Sequence, residues 1–287
     1  MPANIYALGA IALWATLASL GVALQHVPPF LLTGLALLIG SVPSWPLMRH
    51  WRVPLSTLAL GLYGLFGYHL LLFIALRHAP AVQANLVNYL WPLLIVLLAP
   101  LLLPGMRLKP VHFVAGLSGF AGAAMAILGP TGASGSQWSW GFVPAFASAV
   151  VWASYSLLTR RVRAFPTAAI GLFGLVSGLL SLLCHWLAEP AVQLAPLDWA
   201  LIAAMGLGPL GAAFFLWDRA LKLGDPRQIG ILSYVTPLAS TLLLLLVTRQ
   251  PLHWSIVAAG ALIIGGALMA TLTRESVPHT DPQSQHP

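Results

Sequence analysis

Residues 75–103 read ALRHAPAVQANLVNYLWPLLIVLLAPLLL, and residues 220–246 read ALKLGDPRQIGILSYVTPLASTLLLLL. With a shift of 145, Ala75-Leu76-Arg77 falls on Ala220-Leu221-Lys222, Gln83 on Gln228, Leu86 on Ile231, Tyr89 on Tyr234 and Pro92 on Pro237. Gly61 falls on Gly206 in the same register, and a shift of 138 lays Trp14-Ala15-Thr16 on Trp152-Ala153-Ser154. Apolar helices share few residue types and resemble one another by chance. These matches include polar and helix-breaking residues in one register, which chance does not readily supply. The first half of the chain therefore recurs in the second. The run from Pro92 to Leu103 does not alternate polar with apolar residues, so it does not read as a barrel strand. An open sheet would leave edge N–H and C=O groups unpaired in hydrocarbon. The fold class is an all-α integral membrane protein.

Composition agrees. Of 287 residues, 59% are apolar and 7% charged, against about 25% charged in soluble domains. That shortage excludes a soluble globule, a disordered chain and a nucleic-acid binder, and makes the lipid bilayer the main solvent. The 13 Lys and Arg against 6 Asp and Glu are scattered singly between apolar runs, as in membrane loops. Cys184 is the one cysteine, so an intrachain disulfide is impossible.

A crossing helix needs about 20 apolar residues. Cutting the chain at Pro, Gly and charge clusters predicts ten spans, at 4–24, 29–48, 54–76, 81–103, 110–129, 138–159, 166–187, 198–221, 227–247 and 252–272. The first span lacks the basic start and cleavage site of a signal peptide and is expected to remain as a helix. With the N-terminus inside, the inner ends hold Arg49, Arg52, Arg107, Lys109, Arg160, Arg161, Arg163, Arg219, Lys222, Arg227 and Arg274, and the outer ends only Arg77 and Arg249. The positive-inside rule then gives N-in/C-in. Five spans fall in residues 1–130 and five in 137–273, followed by a polar tail, 274–287, expected to be disordered and cytoplasmic. Five is odd, so the second repeat sits inverted. Inverted repeats are the layout of secondary transporters, with the site near the midplane.

The ten spans, the five-plus-five repeat, the tryptophan in the first span of each half and the segment Asn88-Tyr89-Leu90-Trp91-Pro92 resemble the drug/metabolite transporter superfamily. Within it the chain is most similar to the YddG-type aromatic amino acid exporters, over residues 1 to about 273. The resemblance implies alternating-access export of aromatic amino acids and similar amphipathic metabolites across the cell inner membrane.

The charge map bears on the same question. All Lys and Arg, and five of the six carboxylates, sit at span ends, in loops or in the tail; only Asp218 lies within a span. It stands four residues before Lys222, which reads as an interfacial ion pair or as an intramembrane functional carboxylate. A sugar-phosphate exchanger would need buried Lys or Arg, and none is available. A small aromatic or amphipathic zwitterion fits better.

Candidate substrate contacts are Trp14, His69, Asn85, Asn88, Tyr89, Trp91, Trp152, Tyr155, Ser233 and Tyr234. Asn85 and Asn88 are one turn apart, with Tyr89 on the same face, and an amide can serve both a carboxylate and an ammonium. Ser233, Thr236 and Ser240 form a second polar stripe, which reads either as cavity lining or as interhelical hydrogen bonding. Trp14, Trp91 and Trp152 lie deep, whereas Trp45, Trp51, Trp138, Trp140, Trp186, Trp199 and Trp254 lie near span ends as an interface belt. Trp217 is ambiguous. His69 could relay a proton or bond a neighbouring helix. Pro92 and Pro237, at equivalent mid-span positions, are expected to kink their helices as hinges.

No metal-ligand cluster, catalytic triad spacing or phosphate loop is legible. The sequence therefore implies no cofactor and no enzyme. An intramembrane enzyme would show paired acidic or His-acid motifs within spans, and a structural subunit would not need paired polar faces. Facilitated uniport by a monomer is expected; a proton-coupled drug/metabolite antiporter is the alternative.

Overall fold

The computed structural model describes residues 2–128, 138–249 and 254–272. The tail at 274–287 lies outside the described residues. Among those described, all regular structure is helical. In chain order the helices are α1 (Pro2–Ala15), α2 (Leu17–Ala23), α3 (Pro29–Ser41), α4 (Leu55–Leu62), α5 (Tyr68–His78), α6 (Ala81–Asn88), α7 (Trp91–Leu102), α8 (Pro110–Leu128), α9 (Phe142–Leu158), α10 (Ala169–Ala188), α11 (Pro196–Leu207), α12 (Ala213–Leu223), α13 (Pro226–Leu232), α14 (Val235–Thr248) and α15 (Trp254–Leu272). A 3₁₀ segment, Val42–Trp51, continues α3, and π-helical turns at Tyr63–Gly67 and Gly208–Ala212 join α4 to α5 and α11 to α12.

Among the described residues, eight helical stretches are long and apolar enough to cross a bilayer: Pro2–Ala23, Pro29–Trp51, Leu55–His78, Ala81–Leu102, Pro110–Leu128, Ala169–Ala188, Pro196–Leu223 and Pro226–Val247. Phe142–Leu158 and Trp254–Ala270 are shorter apolar helices at the other two expected positions. The chain is a multi-pass membrane protein. Helices satisfy their own backbone groups, which is what hydrocarbon demands. Prolines mark many of their starts: Pro29, Pro196 and Pro226 each stand in a first turn, where a missing N–H costs no helical bond.

The repeat reaches into the backbone. The π-helical turns stand 145 residues apart, and α5 and α12 match end for end at the same shift. Packing partners are exchanged between the halves. Helix α1 lies on α12 and α14, whereas α9 lies on α5 and α7; α3 pairs with α10, and α8 with α15. Glycines permit the closest approaches. A Cβ at Gly40 would stand 2.6 Å from the Gly206 carbonyl oxygen and 2.8 Å from the Gly211 Cα. These backbones touch directly, as small residues allow in membrane helices.

At Pro92 and Pro237 the helix is interrupted just before the proline, and each proline sits in the first turn of the segment that restarts. At the first break the Tyr89 N–H still reaches the Asn85 carbonyl, at 2.9 Å, but the Leu90 N–H reaches back only three residues, to Val87, at 3.1 Å. The chain tightens, and the proline falls where its missing donor matters least. At the second break the Tyr234 N–H likewise reaches back three residues, to Ile231.

Candidate functional site

The first break and the second π-helical turn border a cavity of about 280 Å³. Trp14, Leu17 and Ala18 line it from α1 and α2, and Tyr68, His69 and Leu72 from α5. Asn85, Asn88, Tyr89 and Trp91 come from the α6–α7 break, Trp152 from α9, Leu210 and Phe214 from the second π-helical turn and α12, and Thr236 and Ser240 from α14. None of these lining residues is Asp, Glu, Lys or Arg.

One wall is aromatic. Trp14, Trp91, Trp152 and Trp217 form a mutual cluster, with ring centroids from 5.2 Å (Trp14–Trp217) to 6.4 Å (Trp91–Trp152 and Trp152–Trp217). Mostly edge-to-face pairs of this kind are each worth about 0.5–1.5 kcal/mol beyond burial. The Trp14 indole N–H donates to the Pro209 carbonyl in the second π-helical turn, at 3.1 Å. Trp217 does not line the cavity. It is buried behind the other three, and its indole N–H donates to the Ser156 hydroxyl at 3.1 Å.

The polar groups divide into committed and available ones. The Asn88 amide donates to the Tyr68 hydroxyl at 3.0 Å, and its oxygen accepts from Ser148 at 2.9 Å. Asn88 therefore ties α5, α6 and α9 together. His69 Nδ1 lies 2.6 Å from the Leu65 carbonyl in its own span. A carbonyl only accepts, so Nδ1 carries a proton and is committed to this bond, which leaves Nε2 as the ring's uncommitted nitrogen. The expected bond to a neighbouring helix is thus replaced by one to the preceding π-helical turn of the same span. Asn85 is exposed, and the Thr236 hydroxyl is buried without a hydrogen-bond partner.

Below the aromatic cluster, Asp218 Oδ2 accepts from Lys222 Nζ and from the Thr167 hydroxyl, each at 2.6 Å. The Lys222 ammonium also donates to the Phe165 carbonyl at 2.9 Å and lies 3.9 Å from the Phe165 ring centroid. Asp218 thus holds the ion pair with Lys222 that its spacing allows, and is not among the residues that line the cavity.

Seven of the ten sequence candidates come together around the cavity: Trp14, His69, Asn85, Asn88, Tyr89, Trp91 and Trp152. Three do not. The Tyr155 ring packs on Gly64, the Ser233 hydroxyl donates to the Ile229 carbonyl at 2.8 Å, and the Tyr234 ring packs on Gly119. The Tyr234 hydroxyl accepts from the Leu93 N–H at 3.1 Å, an otherwise unpaired first-turn donor of α7. Tyr68 and Phe214 were not among the candidates. The register of 145 contains the signal for Phe214, because it is the mate of His69.

A cavity without fixed charge, enclosed by broken apolar helices, defines a membrane carrier for uncharged or zwitterionic solutes. The model of the EamA-like transporter family matches residues 1–128 and 139–272, and the chain belongs to this family. It is similar to a protein of Ancylobacter novellus named aromatic amino acid exporter YddG, with 42% identity over 94% of this chain and 97% of the relative. The protein of the same name from Escherichia coli K12 is 29% identical over the same shares. A crystal structure with 42% sequence identity superposes with a TM-score of 0.88, covering 94% of this chain and 96% of the other.

Proposed function

We propose that the protein exports aromatic amino acids and similar amphipathic metabolites across the cytoplasmic membrane, as a monomer. The observation that carries this reading is the division of one charge-free cavity into an aromatic wall and a rim of neutral polar groups. A substrate ring would lie against Trp14, Trp152 and Phe214. Its ammonium and carboxylate would meet His69 Nε2, Asn85, Thr236 and Ser240. Membership of a transporter family, and relatives named as exporters, support a carrier rather than an enzyme.

The reading takes ten crossings, N-in/C-in, in two inverted repeats at 1–130 and 137–273. The exchanged packing of α1 and α9 supports it, as do the paired π-helical turns. In this topology the cavity opens outward: Ala18, Leu72, Asn85 and Ser240 all lie in the outer halves of their spans. Alternating access would then proceed with Tyr89-Leu90 and Ser233-Tyr234, just ahead of Pro92 and Pro237, as hinges. Transport runs down the substrate gradient, because no carboxylate lines the cavity and Asp218 is neutralised by Lys222. A proton-coupled antiporter is the second reading, favoured by the unpartnered, buried Asp218 Oδ1 and by His69 in the wall.

The test is efflux from proteoliposomes loaded with radiolabelled phenylalanine or tryptophan, with lysine and glutamate as controls. Efflux of the aromatic pair alone, with no imposed ion gradient, is expected. Equal efflux of all four refutes the assignment, as does efflux of none even with a pH gradient imposed; efflux of the aromatic pair only with that gradient selects the antiporter.

A further inference from the structure

Applying the repeat shifts to the cavity wall sorts its residues into two groups. Trp14 and Trp152 are mates at 138, His69 and Phe214 at 145, and Trp91 and Thr236 at 145. All six already line the cavity. They would remain at the centre whichever side opens. The second group has mates elsewhere. Leu17 and Ala18 map onto Tyr155 and Ser156, Leu72 onto Trp217, and Asn88 and Tyr89 onto Ser233 and Tyr234. Every one of these five mates is buried, none more than 3% exposed.

We infer that Tyr155, Ser156, Trp217, Ser233 and Tyr234 line a second vestibule to the same central site, opening to the opposite membrane face and latched shut by the Trp217–Ser156 hydrogen bond. The inference rests on the inverted repeats and alternating access proposed above. Two inverted copies can exchange conformations, so residues that line the open path in one copy have mates that line it in the other. Three of the five are Tyr155, Ser233 and Tyr234, polar residues deep in apolar helices that stand outside the present cavity.

The latch follows from position and chemistry. Ser156 lies on α9, which packs with α5 and α7; Trp217 lies on α12, which packs with α1. Their 3.1 Å hydrogen bond therefore joins the two packing groups on the closed side. On the open side the mates are Ala18 and Leu72, which have no side-chain donor or acceptor. The closed inner path holds a polar latch that its outer counterpart cannot form. The latch favours the outward-open state at rest, and its loss favours the inward-open one.

Single-cysteine variants in a Cys184→Ser background test this with a membrane-impermeant maleimide, applied to right-side-out and inside-out vesicles. Ala18→Cys is expected to react only from outside and Ser233→Cys only from inside. Adding Trp217→Phe, which keeps an aromatic ring at the position but removes the indole N–H, should raise the Ser233→Cys rate and lower the Ala18→Cys rate. The ratio of the two should change about fivefold, the population change that one net hydrogen bond gives. Ser156→Ala should act in the same direction. The inference is overturned if Ser233→Cys reacts from outside, or from neither face in a variant that still transports. It is also overturned if Trp217→Phe and Ser156→Ala both leave the ratio unchanged. Labelling needs no substrate. Inside labelling of a protein that moves no aromatic amino acid would refute the proposed function and leave the vestibule standing.

Discussion

The third spans of the two repeats end in mates, Arg77 on α5 and Lys222 on α12, and the two ends are built differently. Each cation lies over a phenylalanine that precedes or opens the second span of its own half, α3 or α10: Arg77 over Phe30 at 5.6 Å, Lys222 over Phe165 at 3.9 Å. Arg77 takes its carboxylate from another span, Glu189, at 2.8 Å. That carboxylate also accepts from the Phe30 and Leu31 N–H groups and approaches His185 at 3.1 Å. Lys222 takes Asp218 from its own helix, one turn back. The cation over a ring recurs in both halves, while the counter-charge comes from another span in one and from the same helix in the other. The halves share a scaffold, not a set of interactions.

Substituting mates in parallel sharpens that comparison. The largest difference is expected for Lys222→Ala against Arg77→Ala. Removing Lys222 leaves Asp218 buried with only Thr167 to serve it, a loss on the order of 3–5 kcal/mol. Removing Arg77, which is 42% exposed, leaves Glu189 with its backbone donors, and the loss should be about 1 kcal/mol or less. Thermal unfolding in detergent reads both, and Asp218→Asn should recover part of the Lys222→Ala loss. Equal losses at the two sites would mean that the clasps are energetically alike.

Gly206→Ala against Gly61→Ala comes next. A Cβ at Gly206 would meet the Ala36 carbonyl oxygen at 2.6 Å, whereas one at Gly61 would meet the Phe173 ring at 2.3 Å. A side-chain ring can turn aside and a packed helix backbone cannot. Gly206→Ala should therefore cost the upper part, and Gly61→Ala the lower part, of the ~1–3 kcal/mol typical of overpacking. Melting temperatures in the reverse order would contradict this reading of the contacts.

A smaller contrast is expected between Asn88→Ala and Ser233→Ala. Asn88 joins three helices through Tyr68 and Ser148, so its loss should lower stability by about 1–2 kcal/mol and slow efflux, with protein still present in the membrane. The Ser233 hydroxyl bonds only its own helix, and its loss should change stability by less than about 0.5 kcal/mol. Membrane abundance, melting and initial efflux rate separate the two. The smallest effect concerns His69 and Phe214. His69→Phe gives both mates the same ring, and under uniport it should leave the ratio of initial rates with and without a pH gradient near one. A ratio that departs from one in the wild type and returns to it in His69→Phe would establish proton coupling through this histidine.

Much of the scaffold is legible in the sequence, because apolar run length and proline position follow directly from hydrocarbon and backbone chemistry. The register of 145 extends even to the π-helical turns, which no periodicity announces. Side-chain direction beyond those turns is another matter. A π-helical turn adds one residue and rotates everything after it by about 100°, so a face read through Leu55–Leu62 does not continue into Tyr68 and His69. Asn88 was legible as a polar group in a costly place, but not as one already committed to Tyr68 and Ser148, since those partners lie 20 and 60 positions away. The stripe Ser233, Thr236, Ser240 assumed a continuous helix; the break at Ser233-Tyr234 leaves only Thr236 and Ser240 on the cavity.

The cluster of four indoles has an optical consequence. Trp14, Trp91, Trp152 and Trp217 are close enough for their excited states to couple, and only Trp217 stands behind the cavity wall. Near-ultraviolet circular dichroism of the unlabelled protein should therefore carry an exciton signal whose shape depends on where that fourth ring sits. A movement of Trp217 away from Ser156 would alter the signal without any attached dye, and the carrier brings its own chromophore to the observation of its gate.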